Sequence, residues 1–398
     1  MTRLPGPLRP LFPVVKQGVV ASTRLVGPVT RRLPGTARHP RVPRTFTAST
    51  PDYARAHPEA GITVSEIVAP VELERALPEG LPPRHWAFAA KAVETVPAQI
   101  VAELPGGRAV GHYGAVVTPD DTLLFDLSPY YGAFDPTQHP IFLRPWLPPV
   151  HDEAGSVGVL TTRGVDNYYH FLTDVLPRIE LLRRAGHQPD RYLVNRVTRF
   201  QVELLDRLGI DDAMVVQSAA APHLRAERLL VPSVPDSHLR APPWVTAWLR
   251  DTLLPDDRGP ARRLYVSRGD KPNTRRVENE AEVLAALAPY GFEVIDPGGL
   301  SVQEQVRRFA EAELIVAPHG AALTNLVFCP PGAAVIELFP PDYVNVCYWA
   351  LADTVPGLRY RYLVGDGRPG PDRRASGVAS DVRVDPGVLV GLVDDALR

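Results

Sequence analysis

The sequence predicts an α/β protein of two domains, in which a β-rich opening section gives way to alternating strands and helices. Three observations predict it. The chain has 398 residues, more than one hydrophobic core usually serves. Short strand-like runs separated by Pro, Gly and Asp turns fill residues 64–127. From residue 157 onward, short apolar runs alternate with amphipathic stretches of about ten residues, the pattern of βαβ units on a parallel sheet.

Residues 1–50 are rich in Pro and Arg and carry no acidic residue before Asp52. They are expected to form a disordered basic arm, because such a segment buries too little surface to offset its ordering entropy. A short amphipathic piece around residues 14–25 leaves room for weak peripheral contact with an anionic membrane surface. A domain at 51–254 follows. Residues 98–104 read as a strand, Pro105-Gly106-Gly107 as a hairpin turn and 110–117 as the return strand. Pro119-Asp120-Asp121 is another turn, before a strand at 123–127. Then come strands at 157–160, 192–194, 214–216 and 228–231. Helices are expected at 167–184, kinked at Pro177, and at 200–208 and 244–253. Residues 255–261 read as a linker.

The second domain, 262–365, has the clearest pattern. Strands at 264–267, 292–295, 313–317 and 334–338 alternate with helices at 278–287 and 301–310 and a short one after His319. Ser301 with Glu304 forms a capping box. The extension 366–398 ends in a packing helix that Asp385 and Pro386 start.

Composition excludes several classes. Hydrophobic residues make up 45% and charged residues 22%, ordinary globular usage. A formal net charge of -2 leaves electrostatic binding to local clusters, and no nucleic-acid partner is expected. Two cysteines, Cys329 and Cys347, make neither a disulfide framework nor a zinc site, and they fit a reducing compartment. No apolar run approaches the roughly 20 residues a spanning helix needs. Prolines interrupt the basic start where a signal peptide needs an unbroken apolar region. The expected location is the cytoplasm, the inner face of the membrane included.

Ligands of an open parallel sheet bind beyond the carboxyl ends of its strands. There stand Arg268, Asp296-Pro297-Gly298-Gly299, His319-Gly320-Ala321 and Glu337. Gly320 admits close backbone approach, and the N–H groups of Ala321 and Ala322 open a helix, an anion-attracting arrangement. His319 either donates to the same phosphates or satisfies the turn. Arg268, Arg275 and Arg276 either grip phosphate or form a solvated loop. Glu337, ending a buried strand, needs a partner, either a ribose diol or a group of the protein. In the first domain Asn167, His170 and Asp174, with Arg178 a turn further, fall on one helix face. A His–Asp pair suits general-base work, and a polar stripe at an interface is the other reading.

Three stretches in this order resemble glycosyltransferase family 61. The first is Asn167-Tyr168-Tyr169-His170 through Asp174-Val175-Leu176-Pro177-Arg178. The second is Tyr265-Val266-Ser267-Arg268 with Arg275-Arg276-Val277-Glu278-Asn279-Glu280. The third runs from Gly291-Phe292-Glu293-Val294 through Pro318-His319-Gly320-Ala321-Ala322-Leu323-Thr324-Asn325 to Glu337-Leu338-Phe339-Pro340. The resemblance covers about 157–349 and leaves residues 1–150 without a motif.

It implies a GT-B-like architecture of two facing Rossmann-like domains. It also implies an inverting, metal-independent transfer, without cofactor, from a nucleotide-sugar donor, UDP-linked, to a glycan or other hydroxyl acceptor. His170 or Asp174 is then the base. Asn167, Arg268, Arg276, His319, Gly320, Ala321, Asn325 and Glu337 serve the donor. The Ala/Arg/Pro-rich composition fits a bacterial member of surface-polysaccharide type. The alternative is an inactive nucleotide-sugar-binding scaffold of the same fold. A nicotinamide-dependent oxidoreductase is not expected, since GxGxxG after the first strand is missing.

Overall fold

The computed structural model describes residues 12–36, 38–130, 135–235, 241–256, 259–269, 275–366 and 380–398. After the first 13 residues the chain divides into two units. One comprises residues 14–71 and 97–238, the other residues 72–96 and 239–398.

The first unit is built on a ten-stranded mixed sheet. Its centre is the strand His151–Val159. Arg191–Leu193 and then Val215–Val216 lie parallel to one side of it, and His223–Pro232 lies parallel on the other. Apolar side chains of these strands, among them Val157, Val159, Leu229 and Val231, fill one core with Leu104, Val116 and Leu124 of the antiparallel part. That antiparallel part departs from the sequence expectation. Residues 105–107 do not turn a hairpin. Gln99–Pro105 and Arg108–Val110 run end to end along the same strand, His223–Pro232. Gly106, at φ 63°, kinks the strand and keeps the ladder, its N–H reaching Glu227 O at 2.9 Å. The hairpin falls one strand later, where Val110 pairs with Ala115.

Of the arm expected to be disordered, residues 1–11 and 37 lie outside the described residues, and the described part is ordered into elements. Phe12–Thr30 is a helix, Thr45–Thr47 joins the sheet as an edge strand, and Thr50–Ala56 is a second helix. The prolines that suggested disorder fall near the ends of the first helix, leaving residues 14–27 free of them. Thr30 fixes its end by donating to Phe142 O at 2.7 Å.

The second unit carries a six-stranded sheet in the order Phe292–Ile295, Arg262–Val266, Ala312–Pro318, Ala334–Phe339, Arg359–Val364, Glu79–Leu81. All neighbours are parallel. Ala334–Phe339 is buried at every position, which matches a sequence apolar at all positions but Glu337, because a parallel sheet is covered on both faces. Helix Val302–Ala310 begins at the Ser301–Glu304 capping box. Helix Pro386–Leu397 begins at Asp385, which accepts from the N–H groups of Gly387 and Val388. It buries Leu389, Leu392 and Val393 against Val283 and Leu287.

Two segments sit elsewhere than the sequence boundaries put them. Helix Pro243–Leu253, expected within 51–254, belongs to the second unit, where Arg250 donates to Val327 O at 2.5 Å and Cys329 O at 2.9 Å. Residues 72–96 do too. They supply the edge strand Glu79–Leu81 and the buried Phe88, whose ring lies 4.5 Å from that of Tyr362. No helix of the described residues is long and apolar enough to cross a membrane.

Candidate functional site

In the second unit the chain passes from Arg262–Val266 outward to Phe292–Ile295. It then returns to Ala312–Pro318 on the opposite side of Arg262–Val266. The strand order reverses between Arg262–Val266 and Ala312–Pro318, and open α/β sheets bind their ligands beyond such a reversal. The two loops leaving that point carry Arg268 and His319-Gly320-Ala321. Arg268 Nη1 donates to His319 O at 3.0 Å, which ties the loops together. Burial, reinforced by the neighbouring Arg275, lowers the Arg268 pKa to about 10, so it stays a cation at neutral pH.

Gly320 is extended, with φ 178°, so backbone conformation does not require glycine there. Space favours it instead: a Cβ would run into Arg268 Nη1, the tip of a flexible side chain that would have to move. The helix expected after His319 is the 3-10 helix Ala321–Phe328, on whose first turn Ala321 and Ala322 are half-buried. Asn325 is fully buried and donates to Gln305 Oε1 at 3.1 Å and Ala322 O at 3.0 Å. It fastens this turn to helix Val302–Ala310.

His319 and Glu337 meet inside the unit. His319 Nδ1 is 2.5 Å from Glu337 Oε1, and Tyr360 donates its hydroxyl to Glu337 Oε2. The imidazole stacks on Phe339 at 5.4 Å and lies 5.0 Å from the Tyr348 ring. Burial pushes the His319 pKa well below its ordinary value, and the Arg275 and Arg268 charges push the same way. Burial holds the Glu337 carboxyl well above the usual carboxylate range, against the Tyr360 hydrogen bond and Arg275. Each Glu337 oxygen thus has a partner in the protein, the second of the two readings the sequence left open.

The arginine pair divides differently from the expectation. Arg276 is exposed, and its backbone N–H donates to Asp381 Oδ1 at 2.8 Å. Arg275, at φ 73°, turns inward, with its guanidinium 5.5 Å over the Tyr343 ring. Its Nε is buried without a hydrogen-bond partner among the described residues. Sequence reasoning passed over Arg275 as an individual, because two adjacent arginines give no sign of which one turns in. Tyr360 was missed altogether, since one aromatic in a buried strand looks like packing.

The first unit holds the other constellation. Asn167 caps the helical turn Tyr168–His170, accepting from Tyr169 N–H at 2.9 Å. A π-helical turn follows at Phe171–Val175, and an α-helix at Pro177–Arg184. One continuous kinked helix was expected. Pro177 has no N–H to give the preceding turn and its ring crowds that turn's carbonyl, and the Leu176 N–H reaches back five residues to Phe171 O at 2.9 Å. The pair survives the extra residue: His170 Nδ1 lies 2.8 Å from Asp174 Oδ2, and Thr173 Oγ1 donates to Asp174 Oδ1 at 2.9 Å.

Gly164 makes room for the ring, since a Cβ there would lie 2.5 Å from His170 Cγ. Arg178 is fully buried and serves the fold. Its Nη2 and Nε donate to Pro232 O at 2.6 and 3.1 Å, and its Nη1 to Thr161 O at 3.1 Å. The two carbonyls follow the central parallel strands where this sheet's order reverses, so the guanidinium plugs that crevice. Burial brings the Arg178 pKa down to about 9, still cationic at neutral pH. Among the described residues no cluster of three or more His, Cys, Asp or Glu side chains is disposed to hold a metal.

The second unit thus carries Arg268 and the His319-Gly320 turn at the reversal of a parallel sheet, and the first unit carries a His–Asp pair. The family model for Glycosyltransferase 61 matches residues 168–336. Within 113 residues the chain is 35% identical to protein O-linked-mannose beta-1,4-N-acetylglucosaminyltransferase 2 of Bos taurus, covering 26% of this chain and 19% of that protein. Over 122 residues it is 32% identical to a beta-1,2-xylosyltransferase of Oryza sativa subsp. japonica, covering 29% of this chain and 21% of the other. The mouse counterpart of the bovine enzyme is 34% identical over 107 residues, covering 25% of this chain and 18% of its own length. The chain thus spans about a fifth of the length of these relatives. They are animal and plant enzymes, and they lend no support to the bacterial surface-polysaccharide type.

Proposed function

We propose that this chain transfers a glycosyl group from a nucleotide-sugar donor, UDP-linked, to an acceptor hydroxyl, with inversion and without a metal. The observation that carries the reading is the Arg268–His319–Gly320 seat at the sheet's reversal point, inside the matched stretch. Arg268 and the backbone N–H groups after Gly320 bind the diphosphate. They hold the charge that grows on its oxygen as the bond to the anomeric carbon breaks. Arg268 thereby takes the part that a divalent cation plays elsewhere.

The acceptor hydroxyl attacks the anomeric carbon from the opposite face and gives its proton to His170. Asp174 is the more enclosed of the two, at 3% side-chain exposure against 16% for His170. It orients the ring through Nδ1 and steadies the imidazolium, which favours His170 as the base. The names of the relatives suggest UDP-N-acetylglucosamine and UDP-xylose as the first donors to try.

The test is UDP release from those donors in the presence of EDTA, with simple glycosides as acceptors. Release is expected with the chelator as without it. His170→Ala is expected to reduce release about 10²–10⁴-fold, the usual contribution of a positioned base. No release from any nucleotide sugar, or a His170→Ala rate equal to the wild type, contradicts the assignment.

A further inference from the structure

We propose that Glu337, whose Oε1 is left facing the ring because Tyr360 occupies Oε2, is a positioning residue that keeps one shared proton on the Glu337–His319 pair, so that His319 presents Nε2–H to the donor diphosphate. The proposal rests on the donor-site reading above.

The geometry allows few alternatives. Nδ1 of His319 is committed to Glu337 Oε1 at 2.5 Å, which leaves Nε2 as the ring nitrogen for a ligand. If Glu337 is a carboxylate and the ring is neutral, the ring proton sits on Nδ1 and Nε2 offers a lone pair, which repels an anion. Donation from Nε2 needs one proton more. That proton rests either on Glu337 Oε1, which then donates to Nδ1, or on the ring. The two arrangements belong to one coupled titration of the pair.

The surroundings favour the extra proton. Glu337 is fully buried, in a strand whose neighbours are apolar, which disfavours the carboxylate. Tyr360 occupies Oε2 and leaves Oε1 as the oxygen facing the ring. Tyr343, Cys347, Tyr348 and Tyr362 close the other sides, with their ordinary forms uncharged. Against the proton stand the Tyr360 hydrogen bond and the Arg275 charge, which favour Glu337 as an anion, and burial with the Arg275 and Arg268 charges, which disfavour a charged ring. A diphosphate seated by those arginines cancels their field. Donor binding and protonation of the pair therefore assist each other, and each strengthens the other by the same factor.

Nitrogen NMR of the full chain labelled with ¹⁵N-histidine reads the tautomer directly, with His319→Gln used to assign the signal. With UDP bound, His319 is expected to show a protonated Nε2; a bare Nε2 beside a protonated Nδ1 overturns the proposal. Binding calorimetry with UDP supplies the second arm. Glu337→Leu is expected to bind UDP about tenfold more weakly, the scale of one lost hydrogen bond.

Glu337→Gln is expected to restore binding, because its amide donates permanently to Nδ1 while its oxygen accepts from Tyr360. Tyr360→Phe removes a hydrogen bond that stabilises the carboxylate, so any loss of affinity at alkaline pH moves upward. Failure of Glu337→Gln to improve on Glu337→Leu overturns the proposal alone. Failure of the wild type to bind UDP at any pH overturns the donor site together with it.

Discussion

At the scale of single residues, the account turns on one cation and the space left for it. Arg268 is half-buried and donates to the His319 carbonyl, and Gly320 is small because Arg268 lies where its Cβ would be. Arg268→Ala is expected to lower turnover hundreds-fold, about 2.7–4 kcal/mol, by analogy with removal of one preorganised donor. Steady-state kinetics with EDTA present measures it, and a rate within about threefold of wild type counts against the role. Gly320→Ala makes a sharper prediction. Its backbone is extended and tolerates alanine, and the clash is with the tip of a flexible side chain. The variant should fold with an almost unchanged melting temperature, yet bind UDP more weakly because Arg268 has been displaced. Equal losses in folding and binding would show that Gly320 serves the turn instead.

At the scale of elements, the sequence announced some features and hid others for physical reasons. Helix Val302–Ala310 was legible because Ser301 and Glu304 satisfy its first N–H groups locally, and helix Pro386–Leu397 because Asp385 does the same. The parallel sheet of the second unit was legible because strands buried on both faces leave unbroken apolar runs. The π turn at Phe171–Val175 was not, since the same apolar spacing fits an α-helix. What inserts the extra residue is Pro177, together with the carbonyls that hold Arg178. Those carbonyls belong to strands that the sequence does not place side by side. The kink at Gly106 looked like a hairpin because Pro-Gly-Gly is common to both, and only the partner strand distinguishes them. Residues 72–96 gave no signal because their partners, such as Tyr362, lie far along the chain.

Of the donor-site assignments, Arg268, His319 and Gly320 come together, Glu337 bonds to His319 from within the unit, Asn325 bonds to Gln305 and Ala322, and Arg276 is exposed. Arg178→Met is expected to destabilise the protein by about 3 kcal/mol, since it strips charged donors from two buried carbonyls. Denaturant unfolding tests this, and a loss below about 1 kcal/mol would mean that the plug is replaceable.

At the scale of the whole molecule, stability and ligand binding report on different groups. His139 and His223, both in the first unit, are buried, and burial lowers their pKa values to about 3 and about 4. A histidine depressed on folding binds its proton more readily in the unfolded chain. Its stabilising effect is complete above its ordinary range and is lost as pH falls. Unfolding free energy should therefore decline between about pH 6.5 and pH 4, by up to about 1.4 kcal/mol per pH unit for each histidine. Urea titrations at pH 7, 6 and 5 read this decline, and a flat profile would contradict the burial of neutral imidazoles. The donor site makes its own demand on the folded state, because a ligand that binds only the folded chain raises its stability. The most direct test of the central claim is thermal unfolding of the full chain with a panel of nucleoside diphosphates, with EDTA and again with magnesium. UDP at about a hundred times its Kd should stabilise the chain by about 2.7 kcal/mol without metal, and Arg268→Ala should abolish the shift. No shift with any nucleotide, or a shift that Arg268→Ala leaves intact, would contradict a donor site at the Arg268–His319–Gly320 crevice.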